Sequence, residues 1–431
     1  MTIEELAPWL FGRTAGGIRW GLERTRELLA EVGDPHTRFR SIHIGGTNGK
    51  GSVAALCDSA LRAVVPGLRV GLYTSPHLVS FSERIRIDGR PVDADPLLAA
   101  AERLRPTIER LEATFFEATT AIAFLCFAEA GVEIAVVEVG LGGRLDATNV
   151  ILPEAVGITN VALDHTEYLG DTVTEIAAEK AGILKPGVPA VTAASHPDAL
   201  RVMRSHAKRV GASLAVLDEI ARVEQAESSL DGTRLRFRSR QWGEGVLEVP
   251  LAGAFQQRNA LLAAELLALL PPDLRPTWSA LRAGFAAVRW PGRLTVHRAH
   301  GATFVFDVAH NAAGVGALCD SLDFLDLPRP LVLVAGILSD KDWAAMLPPL
   351  CARVDASVFT IPPSSPPARR WDPGEAARVL APQLASTPRV IPALSAALQR
   401  ALTLAPYGTI LVTGSIHTVG DAMAELKIPV V

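Results

Sequence analysis

Residues 44–52 read IGGTNGKGS. The apolar run FRSIHI (39–44) leads in. SVAALCDSAL (52–61) leads out, with Val53, Leu56, Ala60 and Leu61 at helical spacing on one face. This pattern predicts a strand, a glycine-rich turn and a helix N-terminus. The four glycines let backbone N–H groups converge on an anion, and the helix N-terminus favours negative charge there. Lys50 adds a mobile positive charge suited to outer phosphates. The spacing departs from the standard phosphate loop: Ile44 stands where that pattern has Gly, and Gly51 separates Lys50 from Ser52. The loop is a variant, unlike those of most GTPases, kinases and transport ATPases. A glycine-rich turn without a ligand is the competing reading, and the strand–loop–helix context weighs against it.

The rest of the composition narrows the setting. A chain of 431 residues is long for one core and predicts two domains. A net charge of −4 gives no general affinity for nucleic acid or anionic membranes. Cys57, Cys126, Cys319 and Cys351 are widely spaced with no CxxC, which fits a reducing, cytoplasmic location without disulfides or a zinc knuckle. MTIEELAPWL is acidic and lacks the basic start of a signal peptide. The apolar stretches near 118–128 and 260–270 are shorter than the ~20 residues of a spanning helix and read as buried helices.

Strand-like and helix-like runs alternate along the chain. FRSIHI, RVGLYT (69–74), EIAVVEV (133–139), AVGIT (155–159), VPAVT (188–192) and SLAVL (213–217) read as strands. Several are apolar throughout, as in parallel strands covered on both faces. RLRFRS and VLEVP, within 222–250, predict an antiparallel hairpin, and helices follow at about 256–270 and 277–288. WPGRL (290–294) breaks the pattern and marks the boundary between 1–290 and 291–431. Alternation then restarts with ATFVFDV (302–308), PLVLVAGI (330–337), ASVFTI (356–361), PRVIPA (388–393) and GTILVTG (408–414). IPPSSPPARR (361–370) reads as a loop. The expected fold class is α/β: a P-loop-type, mostly parallel sheet in the N-terminal domain and a smaller Rossmann-like α/β C-terminal domain.

Chemistry-bearing residues gather at predicted strand ends. In EVGLGGRLDATN (138–149), Glu138 closes the most apolar strand, where open α/β sheets place ligands. It reads as a Mg²⁺ ligand, or as a solvated or Arg-paired carboxylate. In LDHTEYLG (163–170), Asp164 and His165 follow the next strand and lie beside Glu138 if the two strands are neighbours. TEIAAEKAGILKPG (174–187) predicts a helix stopped by Pro186, with Ile176, Lys180 and Ile183 on one face. A buried ammonium is costly unless paired, deprotonated or modified, so physics alone favours a Lys180 that snorkels to water. Ser75 in YTSPHLVSFSERIRIDG (73–89) is placed to reach a metal or phosphates, or to form a simple turn. FFEATT (115–120) offers an aromatic to a flat ligand. DVAHNAAG (307–314) puts Asp307 and His310 after a strand and before a helix; GILSDKDW (336–343) and VTGSIHTVG (412–420) are further polar strand ends.

In this combination and order, the chain resembles the folylpolyglutamate synthase / dihydrofolate synthase branch of the Mur ligase superfamily. The resemblance runs from GIRWGLERTRELL (17–29) through GTNGKGS, YTSPHL, EVGLGGRLDATN, LDHTEYLG, EKAGILKPG, WPGRL, DVAHN and SDKDW to VTGSIHTVG. It implies that Thr47, Asn48, Gly49, Lys50, Gly51 and Ser52 hold ATP phosphates. Asn259, Arg293 and Asp307 would contact ATP, and His310 would help close the nucleotide site. Ser75 and Glu138 would bind one Mg²⁺, and His165 a second with a carbamylated Lys180. Phe116, Leu145, Asp146 and Ala147 would line the pterin pocket. The family's Pro after DVAHN is Ala312 here, for which a local backbone effect is expected.

The resemblance implies ligation of L-glutamate to dihydropteroate and to reduced folates, with ATP as co-substrate and an acyl phosphate as intermediate. GRLDATN, with Arg144 and Asp146, is similar to the bifunctional bacterial enzymes. A monofunctional folylpolyglutamate synthase and another Mur-type amide ligase are the alternatives. The latter carry an extra N-terminal UDP-binding domain, for which about 45 residues before the loop leave no room. A nucleotide-dependent binding or transport ATPase would need no second domain with Asp307 and His310. A monomer is expected.

Overall fold

The computed structural model describes residues 2–13, 19–64, 67–384 and 386–430. Gly17 and Ile18, which open GIRWGLERTRELL, lie outside the described residues. The larger sheet is built from β1 (Arg40–Gly45), β2 (Val70–Tyr73), β3 (Ile85–Ile87), β4 (Arg90–Pro91), β5 (Ile134–Glu138), β6 (Ala155–Ile158), β7 (Pro189–Thr192) and β8 (Ser213–Val216). Its order is β4-β3-β2-β5-β1-β6-β7-β8. All neighbours are parallel except β2–β3 and β3–β4 at one edge. Residues alternate between the sheet's two faces. Ile42, Ile44, Val70, Leu72, Ile134 and Val136 share a core with the helix Lys50–Arg62. Tyr73, Ala135 and Val137 pack with the helix Phe115–Glu129 on the other face.

The helix Lys50–Arg62 was expected to bury one face. Instead Gly51 to Leu61 are all buried, because Phe255–Ala268 and Trp278–Ala287 cover the side away from the sheet. Small residues permit the close fit: Ser59 Oγ donates to the Gly284 carbonyl at 2.6 Å. The predicted hairpin is the far part of a three-stranded antiparallel sheet of β9 (Ala221–Ser229), β10 (Gly232–Ser239) and β11 (Gly243–Val249). β9 escaped notice because its burial is irregular, lacking the clean alternation of β10.

The smaller sheet contains β12 (Thr295–Ala299), β13 (Ala302–Phe306), β14 (Leu331–Ala335), β15 (Ala356–Ile361), β16 (Arg389–Ala393) and β17 (Thr409–Thr413). Its order is β12-β13-β17-β14-β15-β16, parallel except for β12, an edge strand with no apolar run to reveal it. Among the described residues no helix is long and apolar enough to cross a membrane.

Glu265 is an exception within the core. It is 1% exposed on Phe255–Ala268, and the Ser239 side chain only partly offsets the cost of burying its carboxylate. Burial pushes its pKa up to about 7. Between the ordinary value and about 7 the folded state holds the extra proton, so stability falls as pH rises through that window. Glu265→Gln removes the charge that burial penalises. Its stability should exceed the parent's by more at pH 8 than at pH 5, a difference on the order of 1 kcal/mol that melting temperatures at the two pH values report. A gap independent of pH would contradict this.

Candidate active site

The strand order corrects one expectation. Glu138 and Asp164–His165 were expected side by side if their strands were neighbours; β1 lies between β5 and β6. The glycine-rich turn therefore emerges between them, with Glu138 on one flank and the 159–165 segment on the other.

That segment pins the turn. Thr47 N–H donates to the Asn160 carbonyl at 3.0 Å, and Asn48 N–H to Asn160 Oδ1 at 2.8 Å. Thr159 Oγ1 donates to the Asn48 carbonyl at 2.6 Å, and Ala162 N–H to Thr47 Oγ1 at 3.1 Å. Gly49 has φ 85°, and a Cβ there would lie 2.6 Å from Asn259 Oδ1, so only glycine serves at this bend. Lys50 begins the helix, and its Nζ reaches the Gly46 and Thr47 carbonyls at 3.1 Å each. Ser52 is buried, with Gln256 Nε2 at 3.4 Å from its hydroxyl. Asn259 in turn donates to Gln256 Oε1 at 2.9 Å.

On the β5 flank, Glu138 Oε2 accepts the Ser75 N–H at 3.0 Å, which brings this predicted pair together. Burial raises the Glu138 pKa, while Lys50, the Ser75 N–H, Arg293 and Arg84 oppose the rise. Arg293 is held below its usual range by burial, with Asp307 and Glu138 favouring its charge. Asp307 has both oxygens engaged by backbone: Leu294 N–H at 3.0 Å and Ala309 N–H at 2.9 Å. It thereby ties WPGRL to DVAHN.

Lys180 corrects two expectations. Its helix, Val173–Ala181, stops five residues before Pro186, so Ile183 lies beyond the helix although it is buried. Lys180 does not snorkel: it is 3% exposed, and its Nζ donates to the Gly46 carbonyl at 2.9 Å. Burial first, then Lys50, lowers its pKa to about 7.

Asp164 holds the two domains together. Its Oδ1 accepts Lys341 Nζ at 2.8 Å, its Oδ2 accepts Asn311 Nδ2 at 2.9 Å, and His310 Nε2 lies at 3.5 Å. Burial opposes ionisation here, yet His310, His165 and Lys341 hold the carboxyl well below the usual range. Asn311 also exchanges side-chain hydrogen bonds with Asn48, at 3.0 and 3.3 Å. The helix that Asn311 caps begins at Ala312, so the missing proline costs no turn. Burial lowers the His165 pKa to about 4. Sequence reading singled out neither Asn311 nor Lys341, although both lie in quoted motifs; a polar residue at a strand end was the available signal. Asn160 and Trp290, which packs against Gly51, carried no signal of their own.

Phe116 is half-buried at the start of the helix Phe115–Glu129, its ring 6.1 Å from that of Tyr73. A Cβ on Gly140 would meet the Phe116 ring at 2.4 Å, so glycine lets the 140–149 turn pass beside it. Asp146 turns inward: Oδ2 accepts Leu141 N–H at 2.8 Å and Oδ1 accepts Thr148 N–H at 3.0 Å. Ala147 is buried and Leu145 half-buried. Leu141 is half-buried as well, and the exposed Arg144 donates to Glu179 Oε1 at 2.8 Å.

For magnesium, Glu138 with the Ser75 hydroxyl supplies hard oxygen donors next to the lysine-bearing loop. A Mg²⁺ shared with phosphates needs only one or two protein carboxylates, so this flank fits. Among the described residues no group of three or more His, Cys, Asp or Glu side chains gathers to hold an ion. A second site at His165 and Lys180 fits only if the ammonium, itself a donor, becomes an oxygen ligand.

A Mur ligase middle-domain model matches residues 44–267, and a Mur ligase glutamate-ligase-domain model matches 292–416. The chain belongs to the Mur ligase family. Within it, this ligase is 35% identical to the dihydrofolate synthase/folylpolyglutamate synthase of Bacillus subtilis over 353 residues, 80% of this chain and 81% of that protein. Its fold matches the Mycobacterium tuberculosis folylpolyglutamate synthase complexed with ADP, with a TM-score of 0.88 and 34% identity over 98% of both chains. It also matches E. coli FolC in complex with DHPP and ADP, with a TM-score of 0.88 and 29% identity over 99% of this chain and 98% of that one.

Proposed function

We propose that this Mur ligase joins L-glutamate to dihydropteroate and to reduced folates, with ATP as co-substrate. One observation carries the reading: the Lys50 loop lies between Glu138–Ser75 and Asp164–His165, and its Asn48 is bonded to Asn311 of the second domain. Triphosphate in the turn would meet the Thr47–Ser52 backbone and Lys50, with Asn259, Arg293, Asp307 and His310 around the nucleotide. The acceptor would lie along Phe116, Leu145, Asp146 and Ala147. Its carboxylate oxygen attacks the γ-phosphorus, the bond to the β–γ bridging oxygen breaks, and ADP leaves. The amine of glutamate then attacks the acyl carbon and loses a proton, and phosphate departs. The loop orients the phosphates and neutralises their charge. Mg²⁺ at Ser75–Glu138 would offset charge on the β- and γ-oxygens.

The Bacillus subtilis relative, named for both activities, supports a bifunctional enzyme acting on both acceptors. ATP turnover with dihydropteroate or tetrahydrofolate, each with and without glutamate, tests this. Turnover with both acceptors that requires glutamate is expected. Activity with tetrahydrofolate alone would leave a folylpolyglutamate synthase, and ATP hydrolysis indifferent to both would reject the reading.

The clasp around Asp164 couples loop to closure, with WPGRL (290–294) as the hinge between 1–290 and 291–431. Binding energy shared across two domains favours the closed state. Solution scattering should show compaction on adding a non-hydrolysable ATP analogue and pterin, and less compaction in Lys341→Ala. An unchanged profile at saturating ligand would contradict the coupling.

A further inference from the structure

His43 lies on β1, two residues before the paired glycines that open the turn. Its neighbours Ile42 and Ile44 face the helix Lys50–Arg62, so its imidazole points to the opposite face of the sheet. It is fully buried, and its Nε2 is 2.9 Å from Thr148 Oγ1. The Thr148 hydroxyl has one proton, which goes to Asp146 Oδ1. With Asp146 ionised, as its bonds from Thr148 and Leu141 favour against the upward push of burial, Thr148 accepts from His43, and this selects the Nε2–H tautomer. Burial, with Lys185 adding to it, keeps the ring neutral, with a pKa of about 3. The other ring nitrogen, Nδ1, is buried without a partner. From Thr148 the chain continues through Asp146 to the Leu141 N–H, at the start of the turn beside Phe116. Further along, Asn149 Nδ2 donates to the Arg144 and Gly182 carbonyls at 2.9 and 3.1 Å. Asp146, Thr148 and Asn149 are thus spent on holding the turn, and its shape depends on their anchors.

We propose that His43 is a positioning residue for the acceptor pocket: it anchors Thr148, and through Thr148 and Asp146 it sets the course of residues 140–149 past Phe116. β1 then serves both substrates. Its end launches the phosphate loop, and the face opposite that helix braces the acceptor turn. The inference rests on the assignment of Phe116, Leu145, Asp146 and Ala147 to the acceptor.

The test is steady-state kinetics with dihydropteroate and ATP varied in turn. His43→Leu keeps bulk and removes the donor; His43→Gln keeps an N–H near the same place. His43→Leu should raise the KM for dihydropteroate by roughly tenfold, the size of one buried hydrogen-bonding group left unpaired, with the KM for ATP unchanged. His43→Gln should recover most of the loss. Equal increases in both KM values, or no recovery with Gln, would overturn the proposal. Should His43→Leu fail to fold, Thr148→Val breaks the same chain and must show the same selective rise; an unchanged KM for dihydropteroate would overturn it equally. Leu145→Ala separates the two levels. If it leaves the KM for dihydropteroate unchanged, the pocket assignment fails. If it raises that KM while a folded His43→Leu does not, the anchoring role alone fails.

Discussion

Lys50→Ala should lose at least about a hundredfold in turnover while keeping its fold. The size follows from removing one preorganised charge aimed at developing negative charge, a loss of roughly 3 kcal/mol in the barrier. Lys50 Nζ sits on the Gly46 and Thr47 carbonyls at the rim of the turn, on a side chain rooted in the first helical residue. Its removal leaves untouched the bonds from Asn160, Thr159 and Ala162 that shape the loop, so circular dichroism and melting temperature should stay close to the parent's. Near-normal turnover at saturating ATP would contradict the phosphate-loop assignment.

Lys180→Ala should be nearly inactive, and the reason is separable from simple loss of a lysine. As an ammonium, Lys180 braces Gly46 and lies near Lys50. As a carbamate, it would give up that bond and present anionic oxygens toward His165, the change that makes a second cation site chemically reasonable. Carbamylation requires the neutral amine. With the pKa lowered to about 7, the neutral fraction grows as pH rises through 7 and shrinks below it. A carbamate ¹³C signal in protein equilibrated with ¹³C-bicarbonate at pH 8 should therefore fade in CO2-free buffer below pH 6. Acetate should partly rescue Lys180→Ala. Full activity in CO2-depleted buffer with no ¹³C signal would assign Lys180 to the bracing role alone.

The sequence was most legible where local rules dominate. The apolar runs of β1, β5, β6, β7 and β17 and the glycine-rich turn follow from period, composition and backbone need. Strand order is set by distant packing. Because β1 inserts between β5 and β6, Glu138 and His165 flank the loop and do not adjoin. Lys180 shows the same limit: a carbonyl in a turn more than a hundred residues earlier accepts from its Nζ and helps keep the lysine buried. Asn48, Asp164, Asn311 and Lys341 meet only because two domains bring four loops together. Asp146 and Asp307 carry the opposite lesson: backbone N–H groups occupy both carboxylates, so each also holds its turn in shape.

Transfer of oxygen from acceptor to phosphate tests the proposed chemistry most directly. Dihydropteroate labelled with ¹⁸O in its carboxylate is turned over with ATP and glutamate, and the released phosphate is analysed by mass spectrometry. An acyl phosphate requires one labelled oxygen in each phosphate released, with amide product formed in equal amount. Unlabelled phosphate, or phosphate released in equal amount without glutamate, would contradict ligation through an acyl phosphate in this site.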